Sequence, residues 1–186
     1  MTTEYIYVDA IEVKQNEKEF YLFKIKASEL IKIAFYNPRE LDREKGIQRP
    51  LKELRSKEIA EYIDSDDSVL PNNIIVNFKH ENINFHNGKL KIKNVLSSAF
   101  IIDGQHRLAA LIEVISENPE RYKFDEVSIV VVCHSKDLEG MARARRLFTT
   151  VNRYAKKTSP VTNIVMDEDD GVAIITRRLI REEVFF

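Results

Sequence analysis

The chain has 186 residues, of which 44% are hydrophobic and 32% charged, and its formal net charge is −1. This composition is typical of a globular protein rather than a disordered chain, and the balanced charge means that any affinity for nucleic acid or an anionic membrane must come from a local patch. The absence of a bilayer-length apolar run and of a signal-peptide pattern predicts a cytoplasmic protein, and the single Cys133 and four dispersed histidines favour neither a disulfide nor a zinc site.

The first third of the chain predicts a hairpin followed by helices. Two β-rich runs, residues 5–13 and 20–25, flank a polar stretch and predict an N-terminal β-hairpin. Ser28 is expected to cap a short helix, and Ser56 is expected to cap the next one, because a serine hydroxyl can accept a hydrogen bond from the first turn. The acidic and serine-rich segment 64–68 should end that second helix.

The sequence from residue 74 onward predicts strands that alternate with helices. Residues 74–78 form a continuous apolar run, typical of a central strand covered on both faces, and Asn87-Gly88 predicts a tight hairpin at a sheet edge. Residues 127–133 predict a second buried strand, followed by a helix from about Leu138 and a last helix from Gly171. We therefore expect an α/β (α+β) fold with a mixed sheet and flanking helices.

The segment 103–107 lies at a predicted strand–loop–helix junction. The apolar strand ends at Asp103-Gly104, and the helix that begins at once carries Gln105, His106 and Arg107 in its first turn. Its predicted apolar face comprises Leu108, Leu111, Ile112 and Ile115. Backbone N–H groups, the positive end of the helix dipole and a guanidinium would coincide here, which suits a phosphate group. Gly104 would let the backbone approach the ligand closely.

A purely structural interpretation of the same segment stays open. Asp103 would cap the helix, Gly104 would make the turn, and His106 and Arg107 would be solvated first-turn residues. The density of polar and turn-forming residues between two apolar segments favours the ligand site.

These residues resemble the DGQHR-domain proteins, which include the DndB family associated with phosphorothioate modification of DNA. The same element resembles the phosphate-binding box of the ParB/sulfiredoxin superfamily, which reads GERR in ParB and GCHR in sulfiredoxin and binds nucleoside triphosphates. The resemblance extends to residues 46–50, to residues 55–63 as an R-x-x-E-I-A-x-Y-I helix, and to residues 148–160. It implies a ParB/sulfiredoxin-like fold for this chain.

The resemblance also implies site residues. A nucleoside triphosphate, with ATP as the expected one, would be held by Gln48, Arg49, Gly104, Gln105, His106, Arg107 and Asn152. Asp103 and His106 are the candidate catalytic groups, and Asp103 would bind Mg²⁺ if hydrolysis occurs, because a bare carboxylate would repel phosphates. Gln105 stands where sulfiredoxin has its catalytic cysteine, so sulfinic-acid reduction is excluded.

A basic span without acidic residues covers residues 140–160. Its cations are Arg143, Arg145, Arg146, Arg153, Lys156 and Lys157. Such a run is usually a solvated helix face, but its place in the second motif of the resemblance makes contact with polyphosphate or DNA an equal alternative.

Two functions stay open. In the first, residues 1–160 form a nucleotide-binding domain that hydrolyses triphosphate slowly, as an NTPase within a DNA-modification or phage-defence system. In the second, the chain is a DNA-binding transcription regulator that does not hydrolyse nucleotide.

We expect residues 161–186 to begin a truncated helical region, because the chain ends inside a helical pattern. The expected binding partner is a nucleoside triphosphate, and no binding to a membrane is expected. Binding to DNA, to a second copy of the chain or to other proteins of the modification system stays an open alternative.

Overall fold

The computed structural model describes residues 4–16, 18–36, 51–66, 68–96, 98–134, 142, 146–151 and 170–183. The chain divides into two compact units, Met1–Thr150 and Val151–Phe186. The predicted boundary at residue 160 stays a prediction. Residues 146–151 are helical. In the second unit the described element is a helix, Gly171–Glu183, which begins where the sequence predicted it.

Among its described residues, the first unit has eight strands, three helices whose bounds are given below and a 3-10 turn at His80–Asn82, in addition to the helical residues 146–150. The strands are β1 (Tyr5–Gln15), β2 (Lys18–Lys26), β3 (Ala34–Phe35), β4 (Ile74–Lys79), β5 (Ile83–His86), β6 (Lys89–Lys93), β7 (Ala99–Asp103) and β8 (Glu126–His134). The helices are α1 (Ala27–Ile33), α2 (Glu53–Asp64) and α3 (Gln105–Glu117), and the helix of the second unit is α4.

All eight strands form one sheet in the order β3-β7-β4-β8-β2-β1-β6-β5. β4 runs parallel to β8 and antiparallel to β7, so the sheet is mixed, and the predicted mixed α/β class is confirmed. Val76 and Phe78 of β4 are almost completely buried, and so is Asn77, which points to the other face. Burial on both faces explains why β4 reads as a continuous apolar run in the sequence.

Both predicted hairpins are confirmed. β1 pairs with β2 antiparallel, and β5 pairs with β6 across Asn87 and Gly88, whose φ angles are 49° and 74°. Two consecutive residues with positive φ are what a two-residue type I′ turn requires, and asparagine and glycine adopt them most readily. β5 is the edge strand of the sheet, as the sequence predicted.

The predicted caps of the first two helices are wrong. α1 begins at Ala27 and α2 at Glu53, so Ser28 and Ser56 lie inside the helices, and neither N-cap residue makes a side-chain capping bond. Distant contacts hold these helix starts instead. The N–H of Ala27 donates to the carbonyl of Asp125 at 2.8 Å, and the N–H of Lys52 donates to a side chain of α3.

The buried face of α3 is wider than predicted. Leu108, Leu111 and Ile115 are buried as expected, but Ala110 and Val114 are buried too, whereas Ile112 is 40% exposed. α3 packs against both α2 and α1, and its buried residues belong to the same core cluster as those of the sheet, so a broad arc of its surface is buried. The apolar periodicity alone does not reveal the second neighbour.

Candidate functional site

The junction between β7 and α3 depends on a glycine. Asp103 is the last residue of β7, Gly104 adopts the left-handed conformation with φ 99° and ψ 17°, and α3 begins at Gln105. A Cβ atom at residue 104 would lie 3.2 Å from Arg107 Nη2 and 3.2 Å from both γ carbons of Ile74. Both the backbone angle and the close approach therefore require glycine at this position.

An irregularity in the strand pairing sets the direction of Asp103. Ile75 of β4 pairs with Asp103, but its neighbour Val76 pairs with Ile101, so Ile102 is an extra residue on β7. Ile101 and Ile102 are both almost completely buried, although they are consecutive in the strand. Such a bulge changes which side chains face the core, and it shifts Asp103 by one residue relative to β4.

Arg107 is held by two partners from different elements. Its Nη2 donates to Asp103 Oδ2 at 2.9 Å, and its Nη1 donates to the carbonyl of Asn72 at 2.7 Å. The Arg107 side chain is only 15% exposed, against 40% for Asp103. Asp103 therefore pairs with Arg107, and the alternative interpretation of Asp103 as the helix cap is wrong, because Gly104 is the N-cap and no side chain caps α3.

His106 connects α3 to the start of α2. The backbone N–H of Lys52, the N-cap residue of α2, donates to Nε2 of His106 at 3.2 Å. Because Nε2 accepts this bond, the neutral ring carries its proton on Nδ1. The two helices thus begin beside each other although 54 residues separate the bonded groups in the sequence.

Burial and neighbouring cations keep His106 neutral. The pKa of His106 lies below its ordinary value, because burial disfavours the imidazolium and the positive charges of Arg55 and Lys52 add to that effect. Asp103 opposes the shift. Burial, with repulsion from Arg55, also lowers the pKa of the Arg107 guanidinium, although the carboxylate of Asp103 offsets part of this. Arg107 remains charged because an arginine pKa starts far above neutrality.

The result is a cationic cluster formed by Lys52, Arg55 and Arg107, with the neutral His106 among them, at two helix N-termini. The first backbone hydrogen bond of α3 is donated by the N–H of Leu108 to the carbonyl of Gly104. The N–H groups of His106 and Arg107 lie before this bond, so the helix itself offers them no carbonyl acceptor. Two helix dipoles place their positive ends here. Lys52 and Arg55 are exposed, whereas Arg107 is mostly enclosed.

The sequence reasoning assigned no role to Lys52 or Arg55. Arg55 is the first residue of the R-x-x-E-I-A-x-Y-I segment that carries part of the resemblance, so a signal for it existed. Its proximity to His106 depends on the packing of α2 on α3. Gln105 and His106, which the sequence did single out, are half-buried at the first turn of α3.

Several predicted site residues lie outside the described part of the chain. These are Gln48, Arg49, Arg143, Arg145, Asn152, Arg153, Lys156 and Lys157. Arg146 is described, and it is exposed with its Nε donating to the carbonyl of Ala142 at 3.4 Å.

Asp103 is the carboxylate that the structure places beside the cationic cluster. Within the described ranges, no three histidine, cysteine, aspartate or glutamate side chains come together as a metal-binding group. Mg²⁺ usually needs only one or two protein carboxylates when it arrives with a phosphorylated substrate. Binding of Mg²⁺ by Asp103 stays a prediction.

A known protein family matches nearly the whole chain. The family model DndB, described as DNA-sulfur modification-associated, matches residues 8–186. Neither a curated protein nor a solved structure matches the chain. Among the helices of the described residues, none is long and apolar enough to cross a membrane.

Proposed function

Because the chain belongs to the DndB family, which is associated with sulfur modification of DNA, we propose that it serves such a system by binding a nucleoside triphosphate. The phosphates would lie at the N-termini of α2 and α3, with ATP as the expected nucleotide. Slow hydrolysis with Mg²⁺ would make this domain an NTPase that fuels or switches the DNA-modification machinery.

One observation carries this proposal: two helix N-termini meet beside Lys52, Arg55, His106 and Arg107. A single helix N-terminus is common, but two of them beside three cationic side chains concentrate positive potential that a polyphosphate can neutralise. Arg55 and Lys52 are exposed and free to approach a ligand, so we assign them the outer phosphates. Phosphoryl transfer depends mainly on such positioning and charge stabilisation.

Arg107 has a different role in this proposal. Two of its N–H groups already bind Asn72 and Asp103, so Arg107 would fix the conformation of the loop before β4 and contribute positive charge on the enclosed side of the phosphate site. An arginine has five N–H donors, which leaves others for a phosphate oxygen. Arg107 would thus link the loop before β4 to the ligand.

Asp103 and His106 would act in hydrolysis. The carboxylate of Asp103 would share a Mg²⁺ ion with the phosphates, and that ion would supply the positive charge that the transition state needs. The neutral His106 would release the N–H of Lys52 from its Nε2 and use this nitrogen to accept a proton from the attacking water. These roles are part of the proposal and depend on nucleotide binding.

The DNA-binding regulator remains the alternative function. The span from Arg143 to Lys157 that motivated it lies mostly outside the described residues, apart from the exposed Arg146. A regulator would bind nucleotide without turnover, or would not bind it. Turnover therefore separates the two functions.

Isothermal titration of the protein with ATP, with and without Mg²⁺, tests binding, and release of inorganic phosphate tests turnover. We expect binding that weakens in Arg107→Ala and in Arg55→Ala. Lys123→Ala is the matched control, because Lys123 is an exposed cation on a different part of the first unit that pairs with Glu120 at 3.2 Å. Equal affinity of Arg107→Ala and wild type would show that the site is wrongly assigned, and binding without turnover would favour the regulator.

A further inference from the structure

The hairpin strands β5 and β6 and the adjacent β1 present an exposed face that the cationic cluster does not include. Paired residues of neighbouring strands point to the same face, and on this face Tyr5 pairs with Lys93, Tyr7 with Lys91, and Asp9 with Lys89. From β5, Asn84 pairs with Lys91 and His86 with Lys89. We call these eight residues the Tyr–Lys face.

The opposite face of the same strands is apolar and belongs to the core. Ile6, Leu90 and Ile92 are almost completely buried there, while Tyr7 on the Tyr–Lys face is 63% exposed. The strands therefore have one face that stabilises the fold and one face that is accessible. The accessible face carries three lysines, one histidine and one acidic residue, so it is locally basic in a chain whose net charge is −1.

A lysine lies over the aromatic rings of this face. Lys91 Nζ is 3.8 Å from the centre of the Tyr5 ring and 6.0 Å from that of the Tyr7 ring. Lys89 Nζ pairs with Asp9 Oδ1 at 2.6 Å, an exposed ion pair that solvent weakens. Lys91 is thus held above Tyr5, and the more exposed Tyr7 ring has room for a planar group.

Protection of a sheet edge does not account for these lysines. Edge strands commonly carry lysine because its charge opposes pairing with another chain. Here the edge strand is β5, whose residues on this face are Asn84 and His86, whereas the lysines lie on β6, one strand inward. Solvation alone would not need an exposed tyrosine among them.

We propose that the Tyr–Lys face binds single-stranded nucleic acid. Alternate residues of a strand are about 6.7 Å apart, so Lys89, Lys91 and Lys93 form a row of cations along β6 that a phosphodiester backbone can follow. Tyr7 offers its ring for stacking on a base, which is a contact that tolerates any sequence. A duplex hides its base faces inside the helix, so the combination of lysine row and exposed ring selects the single strand.

Fluorescence anisotropy with a labelled oligothymidylate of about 20 nucleotides tests the proposal. Three phosphate contacts predict that the logarithm of the association constant falls with the logarithm of salt concentration with a slope of about −2. Tyr7→Thr removes the ring but keeps a β-branched residue suited to a strand, and should weaken binding of the single strand about tenfold. It should leave the weaker binding of the corresponding duplex unchanged.

The double variant Lys91→Gln and Lys93→Gln should lower the affinity and make the salt slope shallower by about 1.4. Lys32→Gln is the matched control, because Lys32 is an exposed lysine on α1, away from the hairpin, and should bind as wild type does. Thermal unfolding shows whether each variant is folded, and Lys89→Gln replaces the lysine double variant if that variant is misfolded.

Two results would overturn the proposal. The first is unchanged oligothymidylate affinity in both Tyr7→Thr and the lysine variant. The second is binding that ATP competes away and that Arg55→Ala abolishes, since the oligonucleotide would then occupy the cationic cluster at the helix N-termini. The test is independent of nucleotide hydrolysis, so failure of either proposal leaves the other standing.

Discussion

The backbone N–H of Lys52 donates a hydrogen bond to Nε2 of His106 at 3.2 Å, and this bond joins the first turns of α2 and α3. A neutral imidazole can accept it, but an imidazolium cannot, because both of its nitrogens then carry protons. The contact between the two helices therefore depends on the protonation of one side chain. Arg55, which lies close enough to lower the pKa of that side chain, reinforces the neutral form.

Stability should fall as the pH is lowered through the range in which His106 titrates. Its pKa in the folded protein is below the ordinary value of about 6.5, so between those two values the unfolded chain binds more protons than the folded one. The free energy of unfolding is thus largest above about pH 6.5 and decreases toward the folded pKa. The effect should be small, because the ring is partly exposed and solvent screens it.

Urea unfolding at several pH values measures this effect, with His106→Gln as the control. Glutamine can still accept the Lys52 N–H but does not titrate. The difference in unfolding free energy between wild type and variant should change with pH only near and below 6.5. A constant difference across that range would show that His106 titrates equally in both states.

Gly104→Ala should destabilise the first unit more than Gly88→Ala. Both glycines have positive φ, so alanine is strained by about 1 kcal/mol or more at either position. At residue 88 the added Cβ meets nothing within 4 Å, whereas at residue 104 it meets Ile74 and Arg107 at 3.2 Å. Chemical denaturation should give a larger loss for Gly104→Ala, by roughly another 1 kcal/mol. Equal losses would mean that the contacts relax without cost.

Arg55→Ala should reduce triphosphate affinity without reducing stability. Arg55 is exposed, and its removal takes away charge at the mouth of the cluster, which we expect to weaken binding about tenfold and to change the unfolding free energy by less than about 0.5 kcal/mol. Titration calorimetry and thermal unfolding of the same sample measure both quantities. A variant that binds normally would place the phosphates away from α2.

Arg107→Ala should reduce both affinity and stability. Its loss leaves the Asn72 carbonyl and the Asp103 carboxylate without the partner that the structure gives them, which costs about 1–3 kcal/mol. Arg107→Lys keeps the charge but cannot make both bonds in the same geometry, so it should recover part of the affinity and little of the stability. Full stability of Arg107→Ala would contradict a role in holding the loop.

Asp103→Asn should separate the two roles of this carboxylate. Without metal, triphosphate should bind the variant more tightly, because one negative charge beside the phosphates is removed. With Mg²⁺, phosphate release should disappear, since asparagine is a poor ligand for this ion and brings no charge. Retained turnover would exclude Asp103 from metal binding, and the variant's stability reports separately on its pairing with Arg107.

Local sequence features determined the parts of this protein that depend on a few neighbouring residues. The Asn87-Gly88 turn, the buried strand β4 and the break at Gly104 were predicted, because positive φ angles and apolar periodicity act over short distances. The same reasoning located the first turn of α3 as the candidate site. It also gave Gly104 its conformational role, although not its contact with Ile74.

Only the tertiary structure decided what surrounds that turn. The bulge at Ile102, the bond from Arg107 to Asn72 and the arrival of Lys52 and Arg55 join segments far apart in the chain. The starts of α1 and α2 were mispredicted for the same reason, since distant partners replace the serine caps. A sequence states which groups can donate, accept or carry charge, but which of them meet depends on how the helices pack on the sheet and on each other.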